Sequence, residues 1–231
     1  MTIRDRYNMK SVEREDAPAL DAIVHTIEAP SSNTPTGVPT KYLEVGAGLG
    51  RFPLKLRTIH PKEKLDIECL EVNTTVAQKL TEKGFKTAAA SATKMPYADS
   101  SFDIVHCAHV IEHFSYPEVT LLLEELFRVV KPGGIVIIRS PLMYPGFYNE
   151  LDHIKPYPPK AIMHYFTLEQ QQKQGAHQVN LISNWNRREG LEFSWPLPGI
   201  SIINRISLWF WTMTGWPRSK TNGYVAVFTK E

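Results

Sequence analysis

The stretch Leu43 to Phe52, LEVGAGLGRF, decides how the rest of the chain is read. Upstream of it KYLEV is an apolar run of strand length, and downstream a helical period begins at about Gly50. Between them stand Gly46, Gly48 and Gly50, which lack a β-carbon, so the backbone can turn tightly and a ligand can approach it closely. A nicotinamide fingerprint reads G-x-G-x-x-G. This turn reads G-x-G-x-G and follows Glu44, whose negative charge repels a pyrophosphate and attracts an ammonium group. Twenty-one positions past Gly50 stands Glu71, at the end of the second apolar run LDIECLEV. A carboxylate there can accept hydrogen bonds from both hydroxyls of a ribose. An adenosine-bearing, amine-bearing cofactor fits both observations.

Outward from this turn, strands and helices alternate. The pattern predicts a helix over Thr74 to Lys83, a short strand before Ser91, a strand at FDIVHC, a helix over Glu118 to Val130 and a strand at GIVIIRSP. Lys131-Pro-Gly-Gly134 reads as the turn that ends that last helix, its lysine suiting the negative helix end. Such alternation implies parallel strands joined by right-handed crossovers: a doubly wound α/β sheet with ligands at the carboxyl ends of its strands. Before the sheet, Pro18 to Glu28 reads as a short amphipathic helix, and PSSNTPTGVPT as a connector. Beyond Pro141 the spacing predicts a helix over Pro158 to Gln172, a strand at HQVNLIS, a long aromatic segment and a closing strand at GYVAVFTK.

At 231 residues, 42% of them hydrophobic, the chain suits one well-buried domain. The 26 basic and 24 acidic residues nearly cancel and form no long run, so no nucleic-acid partner is expected. Cys69 and Cys107 fall in apolar runs and read as core residues of a reducing compartment, which makes the cytoplasm the expected location. The charged N-terminus has no signal-peptide core, and no apolar stretch approaches the roughly 20 residues that cross a bilayer.

MPYADSSFDIVHCAHVIEHF, Met95 to Phe114, and RVVKPGGIVIIRSP, Arg128 to Pro141, complete the pattern. With them the chain resembles the class I methyltransferases that use S-adenosylmethionine, in particular the small-molecule subfamily with a Pro-aromatic-x-Asp-x-Ser-Phe-Asp pattern leading into strand four. The resemblance covers about Thr40 to Pro141 with specific motifs and the remainder in outline. It implies a mostly parallel, seven-stranded Rossmann-like sheet with helices on both faces. It also implies an N-terminal helix and connector over 1–39 and a methyltransferase domain over 40–231. Within that domain, 141–178 is the acceptor-side loop and helix, and 190–222 an aromatic insertion. Carried over by position, Glu44, Gly46, Ala47, Gly48 and Gly50 hold the methionine end of S-adenosylmethionine, and Glu71 with Val72 the ribose. Ala92 and Thr93 meet the adenine edge, while Cys107 and His109 stand at the strand-four end. The family often has an acid just before that adenine pair. Here the position is Ser91, so adenine contact rests on backbone groups or the hydroxyl.

HCAHVIEH, His106 to His113, contains the H-x-x-E-H of an inverted zinc-peptidase helix. A metal site there needs His109 and His113 on one helical face with a ligand from elsewhere. The segment starts on a strand, however, and no Cys/His cluster in the sequence supplies that ligand, so the histidines read as pocket wall and no metal is expected. His106 reads as a strand histidine satisfied by hydrogen bonds, and His109 as lining the site or capping the turn.

Methyl transfer needs an in-line nucleophile held near the methyl group, and a base only when the acceptor must lose a proton. YNELDHIKPYPPKAIMHYF follows strand five and lies over the carboxyl edge, presenting Asp152, His153 and Tyr157 to an acceptor. His153, oriented by Asp152, is the first candidate base and His113 the second. The expected acceptor is a small molecule, a glycan or a lipid-linked precursor, methylated at oxygen. Two other functions remain open at this level: a catalytically silent cofactor-binding scaffold, and a zinc hydrolase resting on HVIEH alone. In the aromatic segment, Ile202, Ile203, Ile206, Trp209, Phe210 and Met213 recur at helical steps. Burial, a lid over the acceptor, a dimer contact and peripheral membrane contact through 200–216 are its readings, and among the functional ones the lid is favoured.

Overall fold

Thr40–Val45 forms β1, buried along its length except at Lys41, as a central strand covered on both faces must be. In parallel with it run β2 (Leu65–Glu71) on one side and β4 (Phe102–Ala108) on the other. The sheet continues through β3 (Lys86–Ala89) beyond β2 and β5 (Val130–Pro141) beyond β4, both parallel. Strand β7 (Lys220–Lys230) inserts antiparallel to β5, and β6 (Val179–Glu189) closes that edge antiparallel to β7. The order of the seven-stranded sheet is β3-β2-β1-β4-β5-β7-β6. Connections leave β1 toward β2 and reach β4 on its other side, so a crevice opens at the carboxyl ends of β1 and β4. The computed structural model describes residues 16–28, 37–60, 62–167, 175–189, 202, 203, 206, 209, 210 and 220–231.

Helices α1 (Ala17–Glu28), α2 (Arg51–Ile59), α3 (Thr74–Glu82), α4 (Glu118–Val129) and α5 (Pro159–Thr167) cover the two faces. One core joins Leu20, Ile23, Leu56 and Leu80 to Tyr42, Ile104 and Ile137 of the sheet. The other joins Leu122, Leu126, Phe127 and Phe166 to Leu43, Val105 and Phe228. Local chemistry sets the helix starts. Gly50 caps α2 in the left-handed region at φ 78°, and Asn73 caps α3 by accepting from the N–H groups of Thr75 and Val76. Cys69 and Cys107 are free and buried. No described helix is long and apolar enough to cross a membrane.

Three stretches differ from their sequence expectation. Lys131-Pro-Gly-Gly134 is not a turn outside the sheet: β5 begins at Val130 and runs through it, with a register shift against β4 between Phe102 and Ile104. A β-carbon on Gly134 would lie 2.8 Å from the Asp103 carbonyl oxygen, so the glycine lets β5 pass β4 at a bulge. Strand β6 reaches Glu189, well past HQVNLIS, and α5 is described only to Thr167. In the aromatic segment the described residues Ile202, Ile203, Ile206, Trp209 and Phe210 are helical and 42–62% exposed, so these five side chains are not core. Met213 and the rest of 190–219 lie outside the described residues.

A buried carboxylate ties α1 to this frame. The fully buried side chain of Asp16 accepts hydrogen bonds from Lys55 Nζ at 2.7 Å, Arg139 Nη1 at 2.7 Å and Arg51 Nη1 at 3.1 Å. Burial pushes the carboxyl pKa up, but hydrogen bonds and charge from Lys55 and Arg51 outweigh it and hold it below the ordinary value. A depressed carboxyl contributes stability in full above its unfolded pKa of about 3.9, and loses it as pH falls through the folded value. Asp16→Ala should therefore cost about 3 kcal/mol near pH 7, because it removes one partner of a buried ion cluster. In denaturant melts the gap between variant and wild type should narrow as the pH falls toward about 3. Equal stability at pH 7 would contradict this role.

Candidate active site

The glycine turn at the end of β1 is held by β2. Gly48 N–H donates to Glu71 Oε2 at 2.9 Å and Asn73 N–H donates to Glu71 Oε1 at 3.0 Å, so the carboxylate bridges the turn and the start of α3. Each oxygen retains lone-pair capacity for further donors. Gly46, Gly48 and Gly50 all have positive φ, at 69°, 52° and 78°. A β-carbon on Gly46 would lie 2.3 Å from Val110 Cγ2, and one on Gly50 2.7 Å from Leu80 Cδ2, whereas nothing lies within 4 Å of one on Gly48. The turn is thus packed below and open above. Leu49 and Val72 flank this opening, 62% and 69% exposed. An open glycine cradle beside a carboxylate fits the ribose and methionine portions of S-adenosylmethionine: Gly46 to Gly50 leave the space, and Glu71 is placed to accept from the ribose hydroxyls.

Glu44 sits elsewhere than its sequence position suggests. Its carboxylate lies under the turn, 5% exposed, where Oε2 accepts from the Tyr42 hydroxyl and from His106 Nδ1 at 2.9 Å. The register explains this, since Glu44 and His106 are direct partners across β1 and β4 and Tyr42 shares their face. Burial, followed by the Glu44 charge, pushes the Tyr42 hydroxyl pKa well above its usual value. His106 also packs against Phe52 in a tilted contact at 4.5 Å between ring centroids, and its Nε2 is buried without a partner among the described residues. Any attraction of Glu44 for an ammonium group acts from beneath the backbone rather than across an open face. Cys107 likewise faces the core, fully buried, with burial raising its thiol pKa; only its backbone is left to meet a cofactor.

Beyond β3, Ala90 N–H donates to the Glu71 carbonyl at 3.2 Å, tying the end of β3 to the end of β2. Ser91 Oγ lies 2.8 Å from Thr93 Oγ1 and accepts from Thr93 N–H at 3.2 Å, so the serine shapes its own turn. Ala92 packs against the core. The following loop is clamped from α4. Arg128 donates to the carbonyls of Tyr97 and Met95 at 2.7 and 3.2 Å and to Glu125 Oε1 at 2.6 Å, while Glu125 Oε2 accepts from Met95 N–H at 2.5 Å. The Arg128 hydrogen bond holds the Glu125 carboxyl below its usual pKa. Sequence reading missed this clamp, for which the only local signal is a Glu-Arg pair three residues apart on one helix.

HCAHVIEH breaks into three pieces. His106 and Cys107 lie in β4, which ends at Ala108, His109 takes the left-handed region at φ 55°, and Ile111–His113 is a single 3₁₀ turn. The zinc-peptidase helix does not form. His109, whose side chain is 43% exposed, places Nδ1 3.1 Å from Glu112 Oε1. The Glu112 side chain is fully buried, and its Oε2 accepts from Ser140 Oγ at 3.1 Å.

Backbone stitching then brings in the loop between β5 and α5. The Glu112 carbonyl accepts from the N–H groups of Ile154 and Lys155 at 2.9 and 3.3 Å, which sets His153 beside His113, 5.2 Å between ring centroids. Each imidazole is oriented by a main-chain carbonyl: His113 Nδ1 donates to Asp152 O at 3.0 Å and His153 Nδ1 to Phe147 O at 2.8 Å. A carbonyl only accepts, so both Nδ1 atoms carry protons and both Nε2 atoms carry lone pairs in the neutral rings. Two expectations are corrected. The Asp152 carboxylate approaches His113, at 3.4 Å, and it is Phe147 that orients His153. Tyr157 is not presented to an acceptor: it is buried, donates to Phe114 O at 2.9 Å, and its carbonyl accepts from Tyr224.

Comparison with known proteins agrees with this fold. Residues 43–138 match the family described as "Methyltransferase domain". Ajmaline N-methyltransferase of Rauvolfia serpentina is 32% identical over 116 residues, 46% of this chain and 38% of that protein. Demethylmenaquinone methyltransferase of Deinococcus radiodurans is 27% identical over 144 residues, 58% of this chain and 52% of that protein. The chain therefore spans about two fifths to one half of the length of these curated relatives. A solved S-adenosylmethionine-dependent methyltransferase from Archaeoglobus fulgidus shares the fold, with a TM-score of 0.53 at 18% identity, covering 99% of this chain and 97% of that one. Residues 43–138 thus carry the match to the methyltransferase domain family, on a fold shared with a solved S-adenosylmethionine-dependent methyltransferase.

Proposed function

We propose that the chain transfers a methyl group from S-adenosylmethionine to an oxygen of a small-molecule, glycan or lipid-linked acceptor. The observation that carries the choice of oxygen is the His113–His153 pair, whose carbonyl-held Nδ1 atoms leave two Nε2 lone pairs beside the strand-four end. A hydroxyl acceptor must give up its proton to become a good nucleophile, and a pair of oriented imidazoles is a place for it to do so. The two curated relatives are named for different acceptors, ajmaline and demethylmenaquinone, so the acceptor class is taken from this chain's own site. Two buried, free cysteines support a reducing compartment, and we place the activity in the cytoplasm.

Bound S-adenosylmethionine supplies the electrophilic methyl group. The chain's contribution is positional. Glu71 and the glycine turn fix the nucleoside end, the Arg128–Glu125 clamp holds the loop beyond Thr93, and the Glu112 carbonyl holds the acceptor-side loop in register with the strand ends. Positioning of this kind accounts for much of the rate in a displacement reaction.

Two outcomes follow from these assignments. Glu71→Gln should weaken binding of S-adenosylhomocysteine by about 1.5 to 3 kcal/mol, the range for hydrogen bonds lost to a charged group. Calorimetry giving wild-type affinity would remove Glu71 from the site. His153→Ala should keep cofactor affinity while lowering methyl transfer by about 10²-fold or more. Full activity of that variant toward a true acceptor would exclude the pair from chemistry.

A further inference from the structure

The loops that pair the two imidazoles also bring in a buried carboxylate. Glu112, His113 and His153 each offer one donor atom, and the three atoms lie within 4.8 Å of one another. We propose that this set binds one divalent first-row transition cation, and that the cation is what activates the acceptor oxygen. The second half of that statement rests on the methyltransferase reading; the first does not.

Each donor is already held from behind. His113 and His153 donate their Nδ1 protons to Asp152 O and Phe147 O, leaving Nε2 free to ligate, which is how metal-binding histidines are commonly oriented. Glu112 is fixed by Ser140 Oγ and His109 Nδ1, so its carboxylate is both buried and oriented. The fully buried Phe147 ring packs on His153 at 4.8 Å between centroids and limits its swing. Four outer contacts of this kind on three donors are more than a chance meeting of surface side chains requires.

The donor types select the ion. Two imidazole nitrogens and one carboxylate suit zinc, manganese or iron in the divalent state, whereas magnesium and calcium favour all-oxygen sets. Bonds of about 2.0–2.2 Å put ligand atoms roughly 3–3.5 Å apart, so binding draws the set inward by about an ångström, within the reach of side-chain rotation. Three protein ligands leave a coordination position open. An acceptor hydroxyl taking that position would have its pKa lowered by the cation, as a metal-bound water does, and would release its proton to solvent water; the imidazoles act as ligands in the cation-loaded protein and as the base only when the cation is absent. This departs from the sequence expectation of no metal. That expectation weighed a regular helix carrying His109 and His113, whereas here His109 supports Glu112 and the third ligand arrives from the loop at His153.

Cobalt(II) is the probe. Full-length protein stripped by chelator and dialysed should take up one equivalent of Co²⁺ with a visible ligand-field absorption of low coordination number. His113→Ala and His153→Ala should each weaken uptake by at least about 100-fold, the upper range for losing even an outer-shell partner. His164→Ala, on the exposed face of α5, should bind as wild type. Calorimetry with S-adenosylhomocysteine on the same samples reports whether the variants are folded. Absence of stoichiometric Co²⁺ uptake by wild type, or wild-type uptake by His153→Ala, overturns the cation site. If S-adenosylhomocysteine binds while Co²⁺ does not, the cation falls alone; if Co²⁺ binds and the nucleoside does not, it is the methyltransferase reading that fails.

Discussion

One hydrogen bond organises the cofactor side of this molecule: Gly48 N–H to the Glu71 carboxylate. It joins the ends of two adjacent parallel strands at the point where connections diverge, which is where a doubly wound sheet leaves room for a ligand. The bond requires a left-handed turn that glycine adopts at little cost, and Gly46 and Gly50 have no space for a β-carbon. The same carboxylate holds Asn73, which caps α3, so the glycine turn and the following helix share one anchor. An acid at the end of β2 serves the fold before it serves a ligand.

The loop after β5 depends on a different kind of contact, main chain to main chain. The Glu112 carbonyl receives two N–H groups from the loop at Ile154 and Lys155, which helps to set His153 against His113. The ring nitrogens that remain exposed to chemistry are therefore chosen by backbone carbonyls at Asp152 and Phe147. Such orientation survives surface substitution better than a carboxylate partner on a mobile side chain would, and it fixes the tautomer of both rings.

Much of the frame is legible in the sequence because it rests on local rules. Three glycines after an apolar run, an asparagine ahead of a helical period and apolar stretches of strand length each carry their own signal. What escaped depends on partners distant in sequence. Asp16 stands in a charged N-terminal run where nothing marks it, and its buried partner Arg139 lies 123 residues away. Glu44 reads as a ligand-facing acid until the register sets it opposite His106. The Lys131-Pro-Gly-Gly134 stretch has the composition of a turn, and only the close passage against Asp103 makes it a bulge inside β5. HVIEH has helical spacing, yet the left-handed His109 and a single 3₁₀ turn give it another geometry.

The central claim is that the glycine turn and Glu71 form a nucleoside site in this chain, and thermal unfolding with S-adenosylhomocysteine tests it most directly. Ligand at about a hundred times its dissociation constant stabilises a folded protein by about 2.7 kcal/mol. For a chain of this size that is a rise in Tm of roughly 5 °C or more. A saturable rise of that order, absent with adenine alone at the same concentration, is the result the structure predicts. No shift at millimolar S-adenosylhomocysteine would contradict it.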